Sequence, residues 1–388
     1  MEKIVVIGAN ESIKPAIVKA KEMGFETHVF AWPTGDIGEK IADYFYPISI
    51  DNKEKIFEVC KEIKPVGVVS ITSDFAVQTV NYIARSLGFN SNSEKSDLIA
   101  RNKFHMRLAF KEAKIATPWF KKLDMDYRTS FGNENLQELK YPLIIKPTDR
   151  WSSKGVTRVN GFDTLFASIN KAISESLEGN AIIEEFIDGP EYSCECITYA
   201  GKHRFLAFTK KFTTGYPSYI ETGHAQPSDI PKEIQKKIIP EVFKALDALN
   251  IEYGASHTEF KLLENGEIRI IEVGARMAGD CIGTDLVQIS TGYDYVKMVI
   301  DVATGKTPEF ERTSNPKTAI IKFILDESDL EKLNLIRKKY PDYIWRVSNI
   351  DDQIGLREVS DSSTRFGYFI LAIDIDNEIK NSLIEILK

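Results

Sequence analysis

The stretch His257-Thr-Glu-Phe-Lys-Leu-Leu-Glu-Asn-Gly-Glu-Ile-Arg-Ile-Ile-Glu272 places two apolar runs on either side of an Asn-Gly pair. Asn-Gly in this setting favours a two-residue type I′ turn and therefore predicts a β-hairpin. That turn would pair Glu264 with Glu267, and the same register puts Glu259 directly opposite Glu272. Because like charges at opposed positions destabilise a sheet, the hairpin predicts a cation between these two carboxylates.

Carboxylate oxygens of this kind predict a magnesium site. Mg²⁺ takes one or two carboxylates and completes its shell with water and nucleotide phosphates, and Mn²⁺ is the alternative ion. Two other outcomes stay open: both side chains can turn into solvent, or a β-bulge can shift the register and send them to opposite faces. The following Arg276-Met-Ala-Gly-Asp280 adds a permanent cation and an unconstrained turn, which indicates an anionic ligand nearby.

The composition is that of a globular protein with several domains. A chain of 388 residues with 43% apolar and 28% charged residues predicts two or three domains. A net charge of -7 with both signs mixed along the chain argues against a nucleic-acid binder, and no segment predicts a membrane span. Because the chain enters an apolar strand without the features of a signal peptide, we expect a cytoplasmic protein with reduced cysteines.

Strands and helices alternate in the first part of the chain. Apolar runs lie at residues 3–8, 26–30 and 66–70, with helical patterns at 13–23 and 53–63 between them. This alternation predicts a Rossmann-like parallel α/β domain over residues 1–95. The first strand-to-helix turn, Gly8 to Glu11, lacks a full dinucleotide motif and is interpreted mainly as a tight turn.

The rest of the chain predicts α+β structure. In residues 96–310, strands joined by tight loops lead to a helix from Tyr293 to Thr304 that ends at a C′ glycine, Gly305. Residues 311–388 predict a small carboxy-terminal α+β lobe, with a first strand at 318–325 and a last helix at 377–387.

Two segments carry residues suited to the phosphates of a nucleotide. Tyr141-Pro-Leu-Ile-Ile-Lys146 is an apolar strand with a lysine at its exit, and a buried lysine needs an anion. The loop Thr148–Val156, which contains Ser152, Ser153, Lys154 and Gly155, can lay backbone amides and a lysine over phosphates. A solvated hairpin is the alternative interpretation of that loop.

The strand from Ala181 to Glu191 ends in a turn suited to a purine nucleoside. A backbone carbonyl near Glu184 and the amide of Ile187 can bond the edge of the base, and Glu191 can accept the ribose hydroxyls. Lys210 and Lys211 offer a further cation for phosphates. The alternatives are an ordinary acidic strand end and exposed strand lysines.

Taken together, these motifs resemble the ATP-grasp enzymes over roughly residues 95–305. The resemblance implies an ATP-grasp domain at 96–310, with a lid subdomain at about 120–190. It implies that Glu259 and Glu272 bind Mg²⁺. It also implies that ATP contacts Lys103, Lys146, Ser152, Ser153, Lys154, Gly155, Glu184, Glu185, Phe186, Ile187, Glu191 and Lys210.

One departure concerns the last motif, whose common form is Glu-x-Asn-x-Arg. This chain has Glu272-Val-Gly274-Ala-Arg276, which lacks the side-chain amide that often ligates a metal. With His257-Thr-Glu-Phe-Lys-Leu and Glu221-Thr-Gly-His224, the sequence looks most like the L-amino-acid ligases, the dipeptide-forming branch. By that resemblance, Glu221 and His224 line the amino-acid pocket, and Arg276 and Gly279 stabilise the intermediates.

The resemblance implies an ATP-dependent carboxylate–amine ligase. Such an enzyme activates a carboxylate, here an amino acid, as an acyl phosphate and condenses it with an amine to give a dipeptide or amide, ADP and phosphate. Arg276 would stabilise the oxyanion of the tetrahedral intermediate. The alternatives are another acyl-phosphate ATP-grasp enzyme, of the purine-pathway or carboxylase type, and a catalytically silent nucleotide-binding protein. The partners would be small molecules; a homodimer is compatible with the resemblance, although no patch in the sequence indicates one.

Two residues carry hypotheses about the substrates. His224 either orients or deprotonates the amine, or it is a loop histidine that bonds its neighbours. Asp280 either selects a positively charged substrate group or caps the following helix near Thr284.

Overall fold

The computed structural model describes residues 1–127, 131, 138–150, 154–375 and 383. Ser152 and Ser153 lie outside the described residues, as does the predicted helix at 377–387 apart from Leu383. Within the described ranges, no helix combines the length and the apolar character needed to cross a membrane.

The amino-terminal region is the predicted parallel α/β layer. Its strands are β1 (Lys3–Ile7), β2 (Glu26–Phe30), β3 (Tyr44–Tyr46) and β4 (Gly67–Val69), in the order β3-β2-β1-β4. The helices are α1 (Lys14–Glu22), α2 (Ile37–Ile41), α3 (Lys53–Ile63) and α4 (Asp74–Ser86). Side-chain caps fix two of the helix starts: Asn52 accepts the amide of Lys55, and Ser73 accepts the amide of Ala76.

A small antiparallel sheet follows two short helices. The helices are α5 (Glu94–Arg101) and α6 (Lys103–Glu112), and the side chain of Asn102 caps α6 by accepting the amides of Phe104 and His105. The strands are β5 (Phe120–Leu123), β6 (Leu143–Pro147), β7 (Thr157–Val159) and β8 (Ala181–Glu185), in the order β5-β8-β6-β7. Helix α7 (Leu165–Glu175) packs its apolar face on this sheet, which gives the region a core of its own.

The remaining described strands form one eight-stranded sheet, in the order β13-β12-β9-β10-β11-β14-β16-β15. They are β9 (Glu191–Tyr199), β10 (Lys202–Thr213), β11 (Glu221–Gln226), β12 (Gly254–Leu262), β13 (Ile268–Gly274), β14 (Lys317–Ile324), β15 (Ile344–Val347) and β16 (Gly367–Asp374). The helices here are α8 (Lys232–Ala248), α9 (Val287–Thr291), α10 (Tyr295–Ala303) and α11 (Glu327–Lys339), with a π-helical turn at Ile282–Leu286. Strands of the carboxy-terminal segment thus extend the sheet that carries the predicted hairpin.

The predicted helix before Gly305 is confirmed, although it is shorter than expected. Helix α10 covers Tyr295–Ala303, and Gly305 follows the C-cap residue Thr304 with a φ of 78°. A residue without a Cβ adopts this left-handed conformation at little cost, so the helix ends where the sequence indicates.

The hairpin joins the two predicted carboxylates, but its turn differs from the predicted one. Glu259 is opposite Glu272, as expected, whereas Leu263 pairs with Glu267 around a three-residue loop in which Gly266 has a φ of 81°. The predicted two-residue type I′ turn is therefore wrong, because the loop contains one residue more than expected. A bulge between Glu259 and Phe260 shifts the register back and restores the opposed pair.

Candidate functional site

An open cleft of about 1540 Å³ lies between the β5–β8 sheet and the eight-stranded sheet. Twelve of the predicted site residues line it: Lys103, Lys146, Lys154, Glu184, Glu185, Phe186, Ile187, Glu191, Glu221, Glu259, Glu272 and Arg276. Both sheets contribute, because β6 and β8 form one wall and β9 to β13 form the other. The structure therefore brings together residues that are up to 173 positions apart (Lys103 to Arg276).

Lys146 belongs to a buried ionic trio in one wall of the cleft. Its Nζ lies 2.7 Å from Glu184 Oε2, and Arg107 Nε lies 2.7 Å from Glu184 Oε1. Burial raises the pKa of Glu184, but the charges of Arg107 and Lys146 outweigh it and hold that pKa below its usual value. Two cations on one anion leave a net positive charge, which suits a wall that meets phosphates.

Lys103 places a further cation at the opposite wall, beside Glu272. Its Nζ lies 2.9 Å from Glu272 Oε1 and donates to the carbonyl of Arg150 at 2.6 Å. Lys103 is the first residue of α6, and its own amide donates to Thr148 O at 2.8 Å. The start of the helix is thus fixed to the loop that was predicted to cover phosphates.

The loop after β6 contains one predicted residue that lines the cleft and one that does not. Lys154 lines the cleft and lies 3.3 Å from Glu175, with 59% of its side chain exposed. Gly155 has a φ of 75°, and a Cβ there would lie 2.8 Å from Cγ of Pro147. Glycine is therefore required at position 155 because the chain passes close to Pro147 there. The predicted contact of Gly155 with ATP stays a prediction.

Lys211 is the centre of a cluster of carboxylates on the eight-stranded sheet. Its Nζ lies 2.5 Å from Glu259, 3.0 Å from Glu191 and 3.9 Å from Glu221. Burial opposes the charged form of Lys211, but these anions outweigh it and raise its pKa well above the usual value. A second lysine, Lys261, lies 3.1 Å from Glu191.

Lys210, which was predicted to contact ATP, does not line the cleft. Successive strand residues point to opposite faces, so Lys211 faces the cleft and Lys210 faces the side covered by α8. There Lys210 pairs with Asp229, which also accepts the hydroxyl of Tyr192. Lys211, which the sequence offered beside Lys210, takes the position in the cleft.

Replacing Lys211 with methionine is expected to lower the free energy of unfolding by about 2 kcal/mol, because several buried carboxylates lose a shared partner. The loss is partial, since Lys261 remains beside Glu191 and His257 remains beside Glu259. The matched change Lys210→Met breaks a surface pair and should cost less than ~1 kcal/mol. Urea unfolding of both variants measures the difference, and equal midpoints would contradict the placement of these lysines.

His257 is a site residue to which the sequence assigned no role of its own. Its Nδ1 lies 2.7 Å from Glu195 Oε1 and its Nε2 lies 3.2 Å from Glu259 Oε1. Burial lowers the pKa of His257, but Glu195 and Glu259 outweigh it and raise that pKa to about 9. His257 is therefore a cation at neutral pH that fixes the orientation of Glu259. Its alternation with Glu259 along β12 was the signal that could have identified it.

The opposed carboxylates fit a divalent cation that is bound together with a nucleotide. Glu259 and Glu272 present oxygen donors across one ladder position and line the same cleft. The described residues contain no group of three or more acidic, histidine or cysteine side chains placed to hold a metal alone. Mg²⁺ usually takes one or two carboxylates and draws its other ligands from water and phosphates, so this donor set suits it.

Arg276 lines the cleft beside the carboxylates and is fixed from the amino-terminal region. Its Nη2 lies 2.8 Å from Asp74 Oδ2 at the start of α4, and the amide of Met277 donates to Ile71 O at 2.9 Å. Gly274, which departs from the common motif, lies under the guanidinium: a Cβ there would be 3.0 Å from Arg276 Cζ. A side chain at position 274 would crowd Arg276 in this arrangement.

The part of the cleft that was predicted to hold a purine is lined by the segment Glu185 to Ile187, which includes the aromatic ring of Phe186. The amides of Glu185 and Phe186 donate to Trp119 O and Pro142 O, at 3.0 and 3.2 Å. Within the described part of the chain, the amide of Ile187 donates no hydrogen bond, which agrees with a role in binding a base edge. Arg158, which the sequence did not single out, lies with Cζ 4.1 Å from the centroid of the Phe186 ring.

Among the residues predicted for catalysis and substrate binding, three do not line the cleft: His224, Gly279 and Asp280. Asp280 was predicted either to select a substrate cation or to cap a helix. Its carboxylate accepts two hydrogen bonds from Arg365, at 2.6 and 3.1 Å, and the selection of a substrate cation stays a prediction. His224 is buried on β11, with Nε2 3.5 Å from Asp280 Oδ2. It is therefore a strand residue and not a loop residue, although it contacts a neighbouring side chain as the alternative interpretation expected, and its role toward the amine stays a prediction.

Comparison with known proteins agrees with this arrangement. Residues 139–285 match the model of the ATP-grasp domain. Alanine–anticapsin ligase of Bacillus subtilis is 29% identical over 303 residues, which cover 69% of this chain and 62% of that protein. D-alanine–D-alanine ligase of Buchnera aphidicola subsp. Schizaphis graminum is 31% identical over 166 residues, covering 40% of this chain and 54% of that protein. The chain thus spans less than two thirds of the length of these relatives.

Solved structures share the fold over the whole chain. The L-amino acid ligase from Bacillus licheniformis has a TM-score of 0.81 at 21% identity and covers 100% of this chain and 97% of its own. Phosphoribosylglycinamide synthetase from Anaerococcus prevotii has a TM-score of 0.77 at 20% identity and covers 100% and 98%. At such identities the likeness establishes the architecture: a Rossmann-like layer followed by an ATP-grasp fold.

Proposed function

We propose, from the ATP-grasp domain that this chain carries, that the protein is an ATP-dependent carboxylate–amine ligase. It would activate the carboxylate of an amino acid as an acyl phosphate and condense it with an amine, giving a dipeptide or amide, ADP and phosphate. The observation that carries this proposal is the meeting of Glu259, Glu272, Lys103 and Arg276 in one cleft. A metal–phosphate site beside a permanent guanidinium is what phosphoryl transfer followed by acyl transfer needs.

The cations of the cleft support the first half of the reaction. A carboxylate is a poor electrophile because its charge repels an amine, and phosphorylation removes both the charge and the poor leaving group. Mg²⁺, held by Glu259 and Glu272, would supply charge neutralisation at the phosphates. Lys146 and Lys103 would contact phosphate oxygens from the two walls, while their carboxylate partners keep them oriented.

Arg276 supports the second half of the reaction. When an amine attacks the acyl phosphate, negative charge develops on the carbonyl oxygen. A donor that is already oriented stabilises that charge without reorganisation. Asp74 Oδ2 lies 2.8 Å from Arg276 Nη2 and would hold the guanidinium beside the cleft before substrate binds.

The proposal is tested by measuring ADP and phosphate release with ATP and Mg²⁺ across a matrix of amino acids, singly and in pairs, with mass spectrometry of the products. We expect release that depends on a particular pair and a product whose mass is the sum of both amino acids less one water. A heat-treated sample is the control. Tight ATP binding without release for any pair would favour a silent nucleotide-binding protein instead.

A further inference from the structure

A second cavity, of about 600 Å³, lies between helices α4 and α5, the loop after β6 and strand β13. We call it the arginine pocket, because its lining includes Arg101 at the end of α5 and Arg150 in the loop after β6. Four residues line both this pocket and the cleft: Asp74, Lys103, Arg150 and Glu272. The arginine pocket therefore borders the part of the cleft in which Lys103 and Glu272 are proposed to meet phosphates and metal.

The boundary between the two cavities is made of ion-paired side chains. Lys103 and Glu272 meet through Nζ and Oε1 at 2.9 Å, and Asp74 reaches Arg276 through its carboxylate at 2.8 Å. Contacts of this kind can part by changes of rotamer, without movement of the backbone. At the other end of the pocket, Arg101 is only half-buried. The arginine pocket thus lies between the phosphate end of the cleft and solvent.

The carboxylates that line the arginine pocket already have partners. Asp74 and Glu272 form the two ion pairs of the boundary. Asp97 lies 2.9 Å from Arg85 on α4. Asp149 accepts two backbone amides from the turn after α7, at 2.8 and 3.2 Å. None of these negative charges is therefore directed at Arg101 or Arg150.

The two arginines have only neutral partners within the part of the chain that the structure describes. Nη1 of Arg101 donates to Gln78 Oε1 at 3.3 Å, and Nε of Arg150 donates to the carbonyl of Glu175. Each guanidinium carries five N–H donors, so most of them remain available. Two guanidiniums in one small pocket suit a tetrahedral oxyanion, because the planar fork matches the geometry of phosphate oxygens.

We propose that the arginine pocket receives the inorganic phosphate formed in the cleft and is the route by which this phosphate leaves. The inference rests on the proposed ligase function and adds a path of product release to it. Phosphate is the leaving group when the amine attacks the acyl phosphate, so ADP and the amide product occupy the cleft at that moment. Phosphate that leaves through the mouth of the cleft must pass these products. On the other side of the boundary, Arg150 and then Arg101 attract it toward solvent.

The test measures separately the phosphate that is formed and the phosphate that is released. Samples from quenched flow give the phosphate formed, and a fluorescent phosphate-binding protein in the solution gives the phosphate released. The double variant Arg101→Gln with Arg150→Gln removes both cations, whereas Ala100→Phe keeps them and narrows the pocket that Ala100 lines. Arg204→Gln is the control, because Arg204 is an exposed arginine of β10 that lines neither cavity.

In the wild type and in Arg204→Gln, we expect release of phosphate to follow its formation without delay. In the double variant and in Ala100→Phe, released phosphate should lag behind formed phosphate. The rate constant of release should fall at least ~10-fold, the lower end of the effect that charges lining a cleft have on the movement of an oppositely charged ion. The two variants act by charge and by size, so a delay in both points to the pocket itself.

Release that keeps pace with formation in both variants would overturn the inference. A raised KM for one amino acid, with no delay in release, would assign the two arginines to a substrate carboxylate and would also overturn it. If the double variant does not fold, Arg101→Gln and Ala100→Phe decide by the same criterion.

Failure of the proposed function is a separate result, namely the absence of ADP release with every pair of amino acids. In that case, calorimetry measures binding of inorganic phosphate to the protein in the presence of ADP and Mg²⁺. The double variant should bind phosphate at least ~10-fold more weakly than the wild type, because charge-assisted hydrogen bonds are lost. Equal affinity, or no binding by the wild type, would overturn the inference.

Discussion

Replacing Glu259 with glutamine is expected to lower ADP release on the order of 10³-fold. The change keeps the size of the side chain and removes its charge, which Lys211 at 2.5 Å and His257 at 3.2 Å currently neutralise. Metal-ion stabilisation of a phosphoryl-transfer transition state supplies several kcal/mol, and each ~1.4 kcal/mol is a factor of ten in rate. Initial rates with the preferred substrate pair, measured as a function of Mg²⁺ concentration, check the prediction.

Glu267→Gln is the matched control for this change. Glu267 lies on the same hairpin, exposed at its turn, and pairs with Arg269. This variant should keep wild-type rates and the wild-type Mg²⁺ dependence. If Glu259→Gln retained full activity, or lost activity with an unaltered Mg²⁺ requirement, Glu259 would not be a metal ligand.

The hairpin shows how local sequence rules succeed and where they fail. Asn265-Gly266 correctly predicts a hairpin and the opposed pair of Glu259 and Glu272, yet the turn is one residue longer than predicted. The bulge that compensates coincides with a tertiary contact, because the carbonyl of Ile271, the residue left unpaired at the bulge, accepts a hydrogen bond from Arg107 Nη2 of α6 at 2.7 Å. Arg107 and Ile271 are 164 positions apart, so their contact cannot be predicted from the local sequence pattern.

Whether Lys210 or Lys211 faces the cleft depends on which face of β10 each side chain points to. Both lysines lie within β10, where alternation assigns them to opposite faces but does not say which face carries the cleft. The carboxylates that decide the question come from β9, β11 and β12, so the assignment needs the order of the strands. The sequence therefore indicated residues that the fold brings into one cleft, but it could not say which of the two lysines faces that cleft.

Asp280 shows the same limit at longer range. The sequence presents an acidic residue after a glycine turn, and that pattern is compatible with a substrate contact or a helix cap. Its partner is Arg365, 85 positions later, in the predicted carboxy-terminal lobe, which contributed no candidate site residue. Arg365 neutralises the charge of Asp280 within the protein, and the local sequence around Asp280 gives no sign of that partner.

Replacing Arg276 with lysine is expected to lower kcat by about 10²–10³-fold while leaving KM for ATP nearly unchanged, because loss of one oxyanion donor has this size elsewhere. Lysine keeps the charge but loses the planar fork that contacts Asp74 at 2.8 Å and fits above Gly274. Arg269→Lys, at a partly buried position of the same hairpin outside the cleft, is the control and should remain active. Single-turnover rates separate chemistry from nucleotide binding. A variant with a raised KM for ATP and a normal kcat would place Arg276 at the nucleotide, and the oxyanion role would then have to be assigned to another donor in the cleft.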